Sequence, residues 1–169
     1  MKRRGFTLLE ILIVVAVVVA LAGISVPLVG SAVAKSREAA CLVKLRSLGV
    51  ALEGYLQDHN RIMPALAMGR ASRADETPVL ETVLLPYVES PDAFKCPQDE
   101  REFKQSGSSY FWNHLQSGLP DTKLAFFGID GRPDKIPLIS DKESWHPGGT
   151  NFLYADQSSS NKVRFAAGN

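Results

Sequence analysis

The chain has 169 residues and a formal net charge of +1, with 45% hydrophobic and 22% charged residues. That is about one domain's length, of a composition that folds rather than stays disordered. Basic residues are scattered, with no basic stripe interleaved with aromatics, so nothing points to a nucleic-acid partner, and no internal repeat marks a solenoid.

The chain opens M-K-R-R-G-F-T-L-L-E and continues apolar to Val26. From Phe6 to Val26 the strongly polar residue is Glu10; Thr7 and Ser25 can satisfy themselves on a helix. The span matches the roughly 20 residues that cross a hydrocarbon core of about 30 Å. Lys2, Arg3 and Arg4 precede it, so the positive-inside rule places the N-terminus in the cytoplasm and everything after Val26 beyond the membrane. Ala20-Leu21-Ala22 gives only a faint small-x-small site, and a plain secretory signal has no use for a carboxylate. An intramembrane carboxylate is expensive and marks a function, so Glu10 calls for a partner.

The stretch Lys2-Arg3-Arg4-Gly5-Phe6-Thr7-Leu8-Leu9-Glu10 resembles the N-terminus of the type IV pilin and pseudopilin superfamily. The resemblance implies a leader of residues 1–5, cut by prepilin peptidase after Gly5 on the cytoplasmic side, and N-methylation of the new first residue, Phe6. It also implies that Glu10 meets the α-amino group of a neighbouring subunit. Such a pair in a low-dielectric surround interacts strongly and fixes axial register. Removal of Lys2, Arg3 and Arg4 would turn the overall charge balance acidic.

Residues 27–60 read as the continuation of the same helix, an amphipathic spine. Leu42, Leu45, Leu48 (or Gly49), Leu52, Tyr55 and Leu56 recur at helical spacing, with Cys41 on the same stripe. Lys35, Arg37, Glu38, Lys44, Arg46 and Glu53 fall mostly on the other side. One helix from Phe6 to Asp58 would be about 75–80 Å long. Pro27 lacks an N–H and crowds the carbonyl four residues back, so a kink or local melting near Gly23 is expected; a break into two separate helices is the other reading. His59-Asn60-Arg61, followed by Pro64, ends the helix.

Residues 61–169 form the head. Met63 to Thr77 reads as a loop, and Leu80 to Val88 as a short amphipathic turn or helix broken at Pro86. Strand-like composition marks Ser108 to Trp112, Leu124 to Ile129, Phe152 to Ala155 and Lys162 to Phe165. Ile136 to Ser140 adds a strand whose Pro suits an edge. One long helix followed by several short strands predicts an α+β fold, with a small antiparallel sheet lying on the amphipathic spine, as in pilins.

A narrower resemblance covers the head. Cys41 to Leu52 with Tyr55 and Asp58, Leu85-Pro86-Tyr87-Val88, Phe94-Lys95-Cys96-Pro97-Gln98-Asp99 and His146 to Asp156 look like the pilin-like family named for its processing-associated H-x9-DG segment. The spacing of His146 and Asp156 fits; Gln157 stands where that family has Gly. A glycine would favour a tight turn, so Gln157 to Asn161 is expected to form a longer, looser loop. His146 and Asp156 are expected to bond two segments together. The chemical alternatives are acid–base work, or calcium at Asp141 and Asp156.

The cysteines, Cys41 and Cys96, lie beyond the cytoplasm, where disulfides persist, so a Cys41–Cys96 bridge is a candidate. It would close a loop of about 55 residues and contribute about 3–4 kcal/mol. The other reading keeps Cys41 as an apolar core residue and Cys96 as a free thiol. No oxyanion-forming Gly motif accompanies Cys96, so a nucleophilic thiol paired with His114 or His146 has no support. His59 and His114 read as surface residues, and Trp112 and Trp145 as core or rim aromatics.

These observations converge on a structural subunit of a type IV pilus or type II secretion pseudopilus, without catalytic residues, cofactor or metal. Its expected partners are prepilin peptidase, other pilin or pseudopilin subunits, the inner membrane it crosses once, and the assembly machinery. Two alternatives are a minor or non-assembling pilin-like protein whose extracytoplasmic head binds a partner or ligand, and a membrane-anchored extracytoplasmic enzyme or sensor domain.

Overall fold

The structure, a computed structural model, describes residues 7–165, without the side chains at 24 and 26–28. Helix α1 spans Leu8–Asp58 and is followed by an α+β head. By contacts the chain divides into two units, Met1–Ser36 and Arg37–Asn169.

In the first unit the helix is exposed and apolar. Leu8, Leu9, Ile11, Leu12, Ile13, Val14, Val15, Val17, Val18, Val19 and Leu21 all face outward. The helix runs unbroken past Gly23 and Pro27, so the melting expected near Gly23 is not seen in the single chain. The helix forgoes the one backbone bond that Pro27 cannot make and continues on either side of it.

In the second unit Cys41, Leu45, Leu48, Leu52 and Leu56 are buried at the expected spacing. They form the spine's contribution to a core shared with Leu80, Leu84, Phe94, Tyr110, Trp112, Ile136, Leu138 and Leu153. Glu38, assigned to the polar side from its charge, is also buried. It is tied down by Asn161, whose Nδ2 donates to its Oε1 at 2.8 Å. The helix ends as predicted: Asn60 and Arg61 take left-handed conformations, φ 54° and 63°, and the Arg61 N–H reaches back to the Leu56 carbonyl at 2.8 Å. This closes the last turn without a glycine.

Helix α2, Leu80–Val83, and a 3-10 turn at Leu85–Tyr87 replace a single broken helix. Helix α3, Glu102–Ser106, ends at Gly107, whose φ of 98° suits glycine. The strands are β1 (Tyr110–Trp112), β2 (Ala125–Phe126), β3 (Ile129–Asp130), β4 (Pro137–Asp141), β5 (Phe152–Tyr154) and β6 (Ser159–Ser160). An antiparallel sheet has the order β1-β4-β5-β6, and β2 and β3 form a separate hairpin.

Four strand expectations change. Leu124 to Ile129 is not one strand: the chain reverses at Phe127-Gly128, φ 47° and 81°. Strand β4 is internal rather than at an edge; Pro137 is tolerated as its first residue, next to the register shift between Pro137 and Ile139. Among the described residues the last strand is β6, and Lys162 to Phe165 is not strand. Finally, the turn after Asp156 is tight. Gln157 N–H bonds the Tyr154 carbonyl at 2.9 Å and Tyr154 N–H bonds the Ser158 carbonyl at 2.9 Å. Gln157 itself takes the left-handed conformation, φ 65°, that glycine would have taken freely.

Candidate functional site

Two regions carry chemistry. The first is the start of α1. Thr7 Oγ1 accepts from the Glu10 N–H at 3.3 Å. Glu10 Oε2 accepts from the Thr7 N–H at 2.9 Å and from its hydroxyl at 3.0 Å. This is a reciprocal capping box, the T-x-x-E pattern that satisfies orphan donors at a helix start. Gly5 and Phe6, the expected cleavage and methylation positions, lie outside the described residues. Ser25 Oγ donates to the Leu21 carbonyl at 2.8 Å and so satisfies itself within the helix.

Among the described residues no helix is long and apolar enough to cross a membrane.

The second region is buried in the head. Cys41 comes from the spine of α1, Cys96 from the loop before α3, Asp141 from the end of β4, and His146 from the turn between β4 and β5. All four are buried, and their ligand atoms lie within 4.8 Å of one another. Cys41 Sγ is 3.4 Å from Asp141 Oδ1, Cys96 Sγ is 3.3 Å from His146 Nε2, and His146 Nε2 is 3.4 Å from Asp141 Oδ2.

The surroundings hold these groups in place. The Tyr110 hydroxyl, cross-strand from Asp141, is 3.4 Å from Cys41 Sγ. The Asn151 N–H donates to Asp141 Oδ2 at 2.9 Å. The Cys96 N–H donates to Ser109 Oγ at 2.9 Å, and that hydroxyl donates to Asp99 Oδ2.

Electrostatics push the groups toward their neutral forms, with one exception. Burial raises the Asp141 carboxyl to about 6 and lowers the His146 imidazole. Cys41 is pushed up, first by its hydrogen bond to Cys96 and then by burial. The same bond pulls Cys96 down. His146 Nδ1 and both polar atoms of the Asn151 side chain are buried without a protein partner.

The expected pairings are redistributed. Cys41 and Cys96 are brought together but are free thiols, each sulfur facing polar partners rather than bonded to the other. His146 turns to Cys96 and Asp141, not to Asp156. Asp156 instead accepts from the Ser158 N–H at 3.0 Å and from its hydroxyl at 2.5 Å, closing the β5–β6 turn. Asp141 and Asp156 therefore serve different places, and the calcium pairing is not assembled. His59 stacks on Tyr55 at 3.8 Å and His114 starts a 3-10 turn; neither joins the cluster. Trp112 is core, and Trp145 is half-buried, with its indole N–H on Glu143 at 3.1 Å.

Sequence reasoning missed the gathering of Asp141 with both thiols and His146. The one local signal was the short D-x4-H spacing from Asp141 to His146, which places both at the same end of the sheet. It also missed the capping box, although Thr7-Leu8-Leu9-Glu10 spells it out.

No curated protein and no solved structure gives a significant match. Residues 1–26 match the family described as the prokaryotic N-terminal methylation motif. The motif implies processing by prepilin peptidase and assembly with other pilin subunits, and it suggests a membrane-anchored N-terminal segment. With its Gly5-Phe6 junction and Glu10, the chain carries the prepilin-type signal of the type IV pilin and pseudopilin superfamily.

Proposed function

We propose that the chain is a structural subunit rather than an enzyme. It is held in the inner membrane by residues 6–26 as a single-pass precursor with a cytoplasmic N-terminus. It is cut after Gly5, methylated at Phe6, and packed helix to helix into a type IV pilus or a type II secretion pseudopilus. The supporting observation is the continuous outward-facing apolar surface of α1, with Glu10 inside it. A helix apolar all round is stable only when covered by lipid or by other helices. Lipid covers it before assembly and neighbouring subunits afterwards, with Glu10 setting register against an incoming N-terminal amine.

The test is incorporation. The full chain is expressed with a prepilin peptidase and assembly machinery, and sheared filaments are separated from membranes. Glu10→Ala is expected to be cut and retained in the membrane but lost from the filament fraction. Normal incorporation of Glu10→Ala would sink the polymer reading.

A further inference from the structure

We propose that Cys41, Cys96, Asp141 and His146 form a structural zinc site in the head. The donor set is two sulfurs, one imidazole nitrogen and one carboxylate oxygen, the mixture that zinc accepts in four-coordinate sites. Calcium would take six to eight oxygens and does not suit thiolates.

The spacing fits the ion. Zinc bonds of about 2.0–2.3 Å in a tetrahedron put neighbouring donors about 3.3–3.8 Å apart. Cys96 Sγ lies 3.3 Å from His146 Nε2, Cys41 Sγ 3.4 Å from Asp141 Oδ1 and His146 Nε2 3.4 Å from Asp141 Oδ2; with one oxygen taken from Asp141, the four ligand atoms lie within 4.8 Å of one another, so the site tightens modestly around an ion. Four buried side chains from four separate segments meet here, and among the described residues no lysine or arginine pairs with them. The side chains of Asp141 and His146 are wholly buried, which leaves no open coordination position and favours a structural over a catalytic site.

The charges also fit. Two thiolates, one carboxylate and one neutral imidazole around a dication leave a net charge of −1, as in Cys3His sites. Without an ion, a buried carboxyl and a buried imidazole face two buried thiols; a dication at the centre gives all four a common partner. The supporting shell is of the kind that orients ligands: the Asn151 N–H on Asp141, the Tyr110 hydroxyl beside Cys41, and Ser109 beneath Cys96. A disulfide would use the two sulfurs and leave Asp141 and His146 buried for nothing. Binding would displace two thiol protons and any proton on Asp141 into solvent, with no change of oxidation state.

The experiment uses the full chain, exported and purified in detergent without reductant. Metal content is measured by mass spectrometry, and thiols are counted by alkylation before and after chelation. One zinc per chain is expected, with two thiols released on chelation and a fall in melting temperature that added Zn2+ reverses. Cobalt loaded into the stripped protein should give the absorption of a tetrahedral site with thiolate charge transfer. Cys41→Ser and Cys96→Ser should abolish that charge-transfer pattern or reduce it to a single thiolate. His146→Gln and Asp141→Asn, which conserve volume, should weaken zinc binding tenfold or more, with folding checked by circular dichroism. A Cys41–Cys96 disulfide in the exported chain would overturn the proposal. So would two alkylatable thiols in folded protein that takes up neither Zn2+ nor Co2+. Loss of zinc would leave the pilin reading intact, because filament incorporation is scored separately through Glu10.

Discussion

Thr7 and Glu10 hold each other: the Glu10 N–H bonds the Thr7 hydroxyl oxygen, and one carboxylate oxygen of Glu10 takes both the Thr7 N–H and its hydroxyl. Both residues lie after the Gly5–Phe6 junction, so the box survives removal of the leader. Both contacts use Oε2, and Oε1 has no hydrogen bond among the described residues. In the proposed assembly an incoming amine would approach Oε1 while the helix start stays capped. Glu10 thus caps its own helix, and in the assembly proposed above it also carries the charge that faces a neighbour, two roles that can be separated.

Glu10→Gln separates them. Glutamine can complete a capping box but carries no charge. Amide exchange at residues 8–10 in detergent is expected to stay near the parent in Glu10→Gln and to rise several-fold in Thr7→Val. Thr7→Ser should keep protection. Filament incorporation should fail in Glu10→Gln although its helix start is protected. Exchange that rises equally in Glu10→Gln and Thr7→Val would show that the charge, not the box, holds the first turn.

Arg70 organises the 63–77 loop. Its side chain is 11% exposed and pairs with Glu81, 7% exposed, at 2.9 Å. Its Nε also donates to the Ser106 carbonyl at 2.8 Å, and its Nη1 to the carbonyls of Arg73 and Asp75. One guanidinium thus ties the 63–77 loop to α2 and to the end of α3. Arg70→Ala leaves Glu81 buried without a partner, and the expected cost is about 3–5 kcal/mol. Glu81→Gln keeps an acceptor and should cost less. Denaturant melts of the two variants check the order; an Arg70→Ala loss below that of Glu81→Gln would show that the loop is held by other contacts.

The fold was legible where one physical signal dominates. The 3.6 period of Leu45, Leu48, Leu52 and Leu56 fixes the spine and its buried face, and the N-terminal motif fixes the apolar segment. Short strands were legible as places but not as pairings. β2 and β3 are two residues each, too short for an alternation to show, and the reversal at Phe127 uses a left-handed conformation that phenylalanine does not advertise. Glu38 read as a surface charge because burial depends on Asn161, far along the chain. The cluster was half legible: Cys41 with Cys96 follows from having two cysteines, but their company follows from β4 delivering Asp141 and the next turn delivering His146. Local spacing could only suggest the pairing with Asp156.

Gly49 and Gln157 are coupled through space in a way that a double-mutant cycle can measure. A Cβ at Gly49 would come within 3.3 Å of Leu153 and would also collide with Gln157 Oε1. That same oxygen is buried without a hydrogen bond, and its residue sits in the left-handed region at φ 65°. The β5–β6 turn therefore carries backbone strain and an unpaired oxygen in order to place a side chain against the spine. Gln157→Gly removes both burdens and should stabilise the head by about 1 kcal/mol. Gly49→Ala in the parent should cost about 1–3 kcal/mol by overpacking. In the Gln157→Gly background most of that cost should vanish, leaving only the tight contact with Leu153. Thermal melts of the four proteins give the coupling energy, and strictly additive changes would show that the Gln157 side chain can swing aside and does not support the spine.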